Sequence, residues 1–338
     1  MEGIDEETVT AWLAERIDGL EPPLRFSLIA GGHSNLTYRF VDEAGAAYVL
    51  RRPPLGNVLE SAHDMGREHR IIAALQGSEV PVAPALGLCT DAAVNGAPFY
   101  IMGYVDGTVP HDTESAESMP EAQRHRLGLD VIEVLARLHR IDPDEVGLGD
   151  LGRKEAYLAR QLKRWNRQWE ASKTHDVPEM EETSRILAET MPEQVGAAIV
   201  HGDYRLGNMI VGDGAIRAVL DWELCTLGDP LADVGYLLNS WVQPEESVAD
   251  PAPPLPPTAI GGFPSREAIG ELYERRTGRS LSGINYYRAF SHWRLAAIGQ
   301  GVYKRYLVGA MGTQDGINLD NHRESVRTRA QAALALLV

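Results

Sequence analysis

Cysteine is nearly absent. Cys89 and Cys225 are the only two among 338 residues, and they lie far apart in no ligand-like spacing. A disulfide framework and a cysteine-built zinc site are both excluded, and a reducing cytoplasm is the expected compartment. No apolar run approaches the roughly 20 residues that cross a bilayer, and no apolar leader-like segment follows Met1. Asp5, Glu6 and Glu7 instead approach an ordinary helix, so no membrane partner is expected. Basic residues are in deficit, with 32 Lys and Arg against 48 Asp and Glu and a net charge of -16. Nucleic acid needs a basic footprint and is therefore not an expected partner. No internal repeat is present. What remains is an ordinary globular composition, 44% hydrophobic and 24% charged, long enough for two lobes that each bury a core.

The first hundred residues carry a strand pattern. Stretches 24–30, 37–41 and 47–50 read as strands, separated by Gly31-Gly32 and by Glu43-Ala44-Gly45. A helix is expected over 61–75 and another strand over 99–105. From about residue 119 the pattern turns helical, with Leu127, Val131, Val134, Leu135 and Leu138 on one face. Stretch 153–169 is amphipathic, stacking Leu158, Leu162, Trp165 and Trp169 in a narrow stripe. Short strands are expected at 197–200, 209–211 and 216–220, the last two about the turn Gly212-Asp213-Gly214. Proline is dense over 244–264, which reads as a long irregular loop, and 286–306 is helical again. The fold class expected is α+β, with a small mixed lobe over 1–103 and a larger, mainly helical lobe over 104–338.

The residues that carry chemistry are His201-Gly202-Asp203-Tyr204-Arg205-Leu206-Gly207-Asn208, followed by Leu220-Asp221-Trp222-Glu223. Phosphoryl transfer needs a group that orients and deprotonates an acceptor hydroxyl, plus oxygen ligands for Mg²⁺. Asp203 supplies a base. Asn208, five residues on, supplies a neutral oxygen, and Asp221 returns thirteen residues later after a predicted hairpin. Magnesium prefers such a sparse oxygen set, completed by phosphates and water. The overall acidity does not oppose a nucleotide, because a bound metal and a few placed cations govern that site locally. A metal-dependent hydrolase built on His201 and Asp203 lacks further histidines at ligand spacing.

This arrangement resembles the kinase H-x-D-x-x-x-x-N loop and its D-F-G aspartate. Gly202 after the histidine, and Asp-Trp-Glu in place of D-F-G, make it similar to the aminoglycoside phosphotransferase and choline kinase branch. The resemblance implies a bilobal protein-kinase-like fold, ATP and Mg²⁺ as cofactors, and transfer of the γ-phosphoryl group to an alcohol of a small molecule. It places Asp203 as base, Arg205 near the transferring phosphoryl, and Asn208 and Asp221 on the metal. His201 and Asp233 become supports of the loop, Asp233 from a helix start in which Asp229 can cap and Pro230 suits the first turn. In the small lobe it places Gly31, Gly32 and Ser34 against the phosphates. Arg51 stands where most kinases carry a lysine, with Arg52 as the alternative and Glu68 as the helix partner. Met102 and Tyr104 fall at the adenine hinge.

The run Val49-Leu50-Arg51-Arg52-Pro53-Pro54, together with Tyr204 to Asn208 and Ala289 to Tyr303, is most similar to the kinase-like domains related to those fused to acyl-CoA dehydrogenases. That branch implies hydroxyacyl-CoA or hydroxy-acid acceptors, whereas the wider family implies aminoglycoside-like ones. Arg153, Arg160, Arg164 and Arg167 could serve the first, and Asp229, Glu245, Glu246 and Asp250 the second. The acceptor pocket is expected between stretch 153–169, the proline-rich loop and stretch 286–306, with Trp165, Trp169, Trp241, Tyr287 and Trp293 nearby. A nucleotide-binding pseudokinase acting as an interaction module is the alternative; its usual mark is loss of a base or metal ligand, and Asp203, Asn208 and Asp221 are all present.

Overall fold

The computed structural model describes residues 1–30, 35–55, 64–246, 255–309 and 318–338. They group into two compact units. The first comprises residues 1–108, 209–212 and 216–224, and the second comprises 109–208, 213–215 and 225–338. The sequence boundary at 103 lies close to this seam, but most of the hairpin after the Asp203 loop groups with the first unit. The reason is backbone pairing. Thr108 and Val211 exchange hydrogen bonds of 3.0 and 2.8 Å, and Val219 donates to the Pro81 carbonyl at 2.8 Å.

The first unit opens with α1 (Glu6–Ala14) and a five-stranded antiparallel sheet in the order β1-β2-β3-β5-β4. Its strands are β1 (Arg25–Ala30), β2 (Leu36–Val41), β3 (Ala47–Arg52), β4 (Ala85–Cys89) and β5 (Phe99–Gly103). The period of two sends Tyr38, Phe40, Leu50, Phe99 and Ile101 into one core with Val9 and Leu13 of α1. The opposite face carries Arg51 and Tyr100, which pair across β3 and β5, and meets α2 (Met65–Leu75). Helix α2 is capped by Asp64, whose carboxylate accepts the Arg67 N–H, and it buries Met65, Glu68, Ile71, Ile72 and Leu75. A glutamate on an apolar stripe needs a partner, and the sheet provides one. Strand β4 was not expected. Its Ala-Leu-Gly-Leu-Cys run is short, half-exposed and interrupted by Gly87, so no alternation marks it.

The connecting helix α3 (Ala92–Asn95) ends the small-unit additions, and α4 (Thr113–Glu117), α5 (Glu121–Leu138), α6 (Tyr157–Ser172) and α7 (Pro178–Glu189) follow in the second unit. Short β6 (Ala198–Val200) pairs with β9 (Thr226–Gly228), flanking the hairpin of β7 (Met209–Gly212) and β8 (Ala215–Val219). Then come α8 (Leu231–Ser240), α9 (Arg266–Thr277), α10 (Ile284–Leu307) and α11 (Leu319–Ala335). Helix α10 packs against α6, α7, α8 and α11. Burial around much of its circumference, from Tyr286 to Gln300, leaves it little amphipathic contrast. Helix α6 begins at Tyr157 rather than at 153, because Ala156 takes a left-handed φ of +50°. Arg153 therefore stands outside the helix. Within it Leu158, Leu162 and Trp169 are buried, while Arg164 and Arg167 lie on the solvated side.

Helices α8 and α10 meet through Gly235, where an added Cβ would lie 2.7–2.9 Å from the Tyr287 backbone and Cβ. Backbone cannot swing aside as a side chain can. We expect Gly235→Ala to cost about 1–3 kcal/mol through overpacking. Scanning calorimetry should show a lower unfolding temperature, and an unchanged one would mean that the two helices separate freely.

Candidate active site

In the second unit, the loop after β6 is fixed by one buried carboxylate. Asp233, in the first turn of α8, accepts the His201 N–H on Oδ2 at 2.7 Å and the Gly202 N–H on Oδ1 at 2.8 Å. His139 Nε2 lies 3.3 Å from Asp233 Oδ2, and its Nδ1 lies 2.8 Å from the Tyr273 hydroxyl. Burial pushes the His139 pKa down, which keeps the ring neutral and suited to donate to Asp233 while accepting from Tyr273. Burial pushes the Asp233 carboxyl up, but the hydrogen bond from His139, with help from the Gly202 N–H, holds it below its ordinary value. On the other side of the loop, the Tyr204 hydroxyl donates to the Val131 carbonyl of α5 at 2.7 Å.

Asp203 is presented by this frame. The Asn208 amide donates to its Oδ2 at 2.7 Å and to its backbone carbonyl at 2.9 Å. The Tyr236 hydroxyl donates to Oδ1, and Arg205 Nε stands 3.5 Å from the same oxygen. Burial and the Asp203 charge push the Tyr236 pKa up, so the phenol keeps its proton. The Asp203 side chain retains about a fifth of its exposure, enough for a small hydroxyl to reach it. With the Asn208 nitrogen spent on Asp203, its carbonyl oxygen is the atom suited to a metal.

In the first unit, Arg51 Nε lies 3.1 Å from Glu68 Oε2, and its terminal nitrogen donates to Asp221 Oδ1 at 2.8 Å. Glu223 is 3.9 Å away. Both Glu68 oxygens have further donors, Asn35 at 2.8 Å and the Tyr100 hydroxyl at 3.0 Å. Burial works against the Arg51 charge, but Tyr100, Glu68, Asp221 and Glu223 outweigh it and raise its pKa. Asp221 has a φ of +66°, a sparsely populated conformation for a residue with a side chain. The alternative, Arg52, is directed to the α1 face of the sheet, where it donates to the carbonyls of Gly3, Pro53 and Asn95. Arg51 is thus the arginine that meets Glu68 and Asp221. Met102 is buried on β5 beside Val49, and Tyr104 is half-exposed under the Arg39 guanidinium. Gly31, Gly32 and Ser34 lie outside the described residues.

Tyr236, His139 and Arg294 were not expected at the site. Buried Arg294 donates to the Gly202 carbonyl at 2.7 Å and packs over the Tyr236 ring. A signal existed for it: an arginine amid Ala289, Phe290, Trp293, Ala296 and Ala297 needs a polar partner. Of the segments expected to wall the acceptor pocket, the proline-rich loop and α10, with Trp241, line one described cavity, and α6 does not. This cavity of about 380 Å³ adjoins Arg205 and Tyr236 and is walled by α8, α10, α11 and Pro256-Pro257. Helix α6 contributes nothing to its described lining, and Trp169, Tyr287 and Trp293 are core residues. The acidic set does not line it either. Asp229 is buried and takes the Tyr287 hydroxyl at 2.8 Å, and Glu246 is paired with Arg266. Asp250 lies outside the described residues.

Comparison with known proteins shows the family and the fold. The model of a phosphotransferase enzyme family matches residues 25–253. A Ralstonia eutropha protein provisionally assigned as an aminoglycoside phosphotransferase superposes with a TM-score of 0.81 at 34% identity, covering 98% of both chains. An aminoglycoside phosphotransferase solved with AMP-PNP and hygromycin B gives 0.62 at 18% identity over 97% of this chain and 98% of its own, a likeness of fold alone. Mouse acyl-CoA dehydrogenase family member 10 is 37% identical over 290 residues. That match takes in 85% of this chain but only 27% of the mouse protein, so the chain spans about a quarter of that relative's length. The fold is the protein-kinase-like one of the aminoglycoside phosphotransferases. Among the described residues no helix is long and apolar enough to cross a membrane.

We expect Asp233→Asn to destabilise the second unit by roughly 3 kcal/mol, because the new amide turns a donor toward a buried N–H. The sign of the pH dependence follows from the depressed carboxyl. In the parent chain this contribution is complete above the unfolded value near 4 and is lost as pH falls through the lower folded one. Urea unfolding at several pH values checks both. A variant that loses stability toward acid as steeply as the parent would remove Asp233 from that role.

Proposed function

The chain belongs to the phosphotransferase enzyme family, and on that premise we propose that it is an ATP-dependent small-molecule kinase that transfers the γ-phosphoryl group to an acceptor hydroxyl. The observation that carries the reading is Arg51, held at 3.1 Å by Glu68 and at 2.8 Å by Asp221. A strand cation that meets both a helix carboxylate and a metal-type aspartate is an arrangement that suits a kinase nucleotide site. A nucleotide-binding pseudokinase would share these three, and what favours transfer over that alternative is that the base Asp203 is present with Asn208 and Asp221.

The roles follow from the contacts. Asp203 is the base: Tyr236 and Asn208 hold its two oxygens in place, and it takes the acceptor's proton as the hydroxyl oxygen attacks the γ-phosphorus. The bond to the β–γ bridging oxygen breaks and ADP departs. Arg205 offsets charge gathering on the γ-phosphate oxygens, and Arg51 contacts the nucleotide phosphates, with Gly31, Gly32 and Ser34 as backbone donors. Met102 and Tyr104 serve the adenine. Among the described residues no three His, Cys, Asp or Glu side chains converge as a metal cage. That suits Mg²⁺, which would take the Asn208 and Asp221 oxygens and otherwise use phosphate and water. When bound, the ion would supply neutralisation of phosphate charge. The acceptor is a small alcohol, either a hydroxy acid or hydroxyacyl-CoA, or an aminoglycoside-like sugar.

Two alanine variants separate these roles. Asp203→Ala should lower kcat by at least about 100-fold and leave Mg·ATP affinity within about twofold. Asp221→Ala should weaken Mg·ATP binding itself by about tenfold or more. ADP release gives the rates and calorimetry gives the affinities. Equal loss of nucleotide affinity in both variants would contradict the assignment.

A further inference from the structure

The cavity beside Arg205 and Tyr236 has a composition at odds with the rest of the chain. The net charge is -16, yet no Asp or Glu belongs to the described lining, which includes Arg205, Arg329, His111 and His292. At about 380 Å³ it is within the size range of small-molecule sites.

Arg329, on α11, is the unusual member. It is half-buried, and its burial pushes its pKa down. Among the described residues no carboxylate lies within ion-pair distance of its guanidinium, and the group that influences its charge most is the Tyr236 phenol. The nearby acids are committed elsewhere. Glu246 grips Arg266, and Asp203 is held by Tyr236, Asn208 and Arg205. Arg288, the other cation close by, hydrogen-bonds Asn239 at 3.1 Å. Beside Arg329, His292 has a buried Nδ1 with no hydrogen-bond partner among the described residues. Burial, then Arg329, Arg288 and Arg266, push its pKa down to about 4, so it is a neutral hydrogen-bonding group at physiological pH. A partly desolvated guanidinium with no counter-charge among the described residues is costly by itself and favourable for an anion that arrives there.

We propose that Arg329, with His292 beside it, binds an anionic group of the acceptor, making the substrate a hydroxy acid, or another alcohol bearing a carboxylate-like anion, rather than a polycationic amino sugar. The inference rests on the kinase reading for the position of the reacting hydroxyl. Tyr236 lines the cavity and donates to Asp203, so an acceptor anchored at Arg329 has its anion at one wall and the base beyond the same tyrosine. Arg205 is occupied with the phosphoryl group, which leaves Arg329 to set specificity. A tetra-amino sugar would meet a guanidinium where it needs a carboxylate, and like charges disfavour it.

The test uses 3-hydroxybutyrate and 3-hydroxyoctanoate, their methyl esters, and hygromycin B as acceptors for the parent chain, Arg329→Gln and Arg329→Lys. The parent should prefer at least one acid over its ester and over hygromycin B. Arg329→Gln should raise the KM for that acid roughly 10- to 100-fold, with the ester moving by less than about threefold and Mg·ATP affinity unchanged. Arg329→Lys should recover part of the loss. Because the removed charge is partly desolvated and has no carboxylate partner among the described residues, Arg329→Gln should unfold at the parent's temperature or above it. A preference for hygromycin B, an unchanged KM for the acid, or marked destabilisation with unchanged KM would overturn the proposal. Calorimetric titration of 3-hydroxyoctanoate into the three proteins separates this idea from the kinase reading. Acid binding that Gln abolishes and Lys retains supports the site even where no phosphorylated product or Mg·ATP binding is found. No binding to the parent, or equal binding to all three, overturns it.

Discussion

The second unit is organised around the Asp233 carboxylate. An ionised carboxylate in a protein interior costs several kcal/mol unless its lone pairs are filled, and here they are filled by the His201 and Gly202 N–H groups and by neutral His139. Those donors belong to the end of β6, to the catalytic loop and to the end of α5, so one side chain fixes three segments. The loop's shape is therefore a consequence of satisfying Asp233. Arg294 adds a constraint from α10 by capturing the Gly202 carbonyl, and Tyr204 adds one from α5. Asp203 has no freedom left to wander, which is what a base that must meet a hydroxyl within about 3 Å requires.

The first unit solves a comparable problem with arginine. No lysine precedes Lys154 in the chain, so the strand cation of the proposed nucleotide site has to be an arginine. The exchange is not neutral. A lysine ammonium is a point charge, whereas the Arg51 fork reaches Glu68 through Nε and Asp221 through a terminal nitrogen at once. The ion pair and the metal-type aspartate are thereby tied to one planar group. The same pleat that sends Arg51 toward α2 sends Arg52 toward α1, where backbone carbonyls receive it. Two adjacent arginines of identical chemistry acquire different duties from strand period alone.

How much of this was legible in the sequence depended on whether a feature was local. The strands β1, β2, β3 and β5 and the hairpin before Asp221 announce themselves by alternation and turn residues, and the spacing of Asp203, Asn208 and Asp221 is a local record of loop geometry. Tyr236 and His139 were not legible, because their roles arise from contacts across 33 and 94 residues that no short window contains. Strand β4 was missed for want of alternation. The start of α6 was misplaced because amphipathic periodicity continues through Arg153 while the backbone at Ala156 does not. Of the aromatic residues expected near the acceptor pocket, Trp241 lines the cavity beside Arg205, while Trp169, Tyr287 and Trp293 do what most large aromatic side chains do, which is fill a core.

Helix α10 reaches both the Asp203 loop and the cavity of the second unit. Its buried face supplies Arg294 to the loop carbonyl and, two residues earlier, His292 to the cavity lining. Residues i and i+2 on a helix point about 200° apart, so one element can brace the base from one side and shape the cavity from another without a shared side chain. Tyr236 is where the two meet, since Arg294 packs on its ring while its hydroxyl holds Asp203. On the proposed reading, a change in what occupies the cavity reaches Asp203 through Tyr236 and Arg205, so chemistry and acceptor recognition would be coupled by packing as well as by charge.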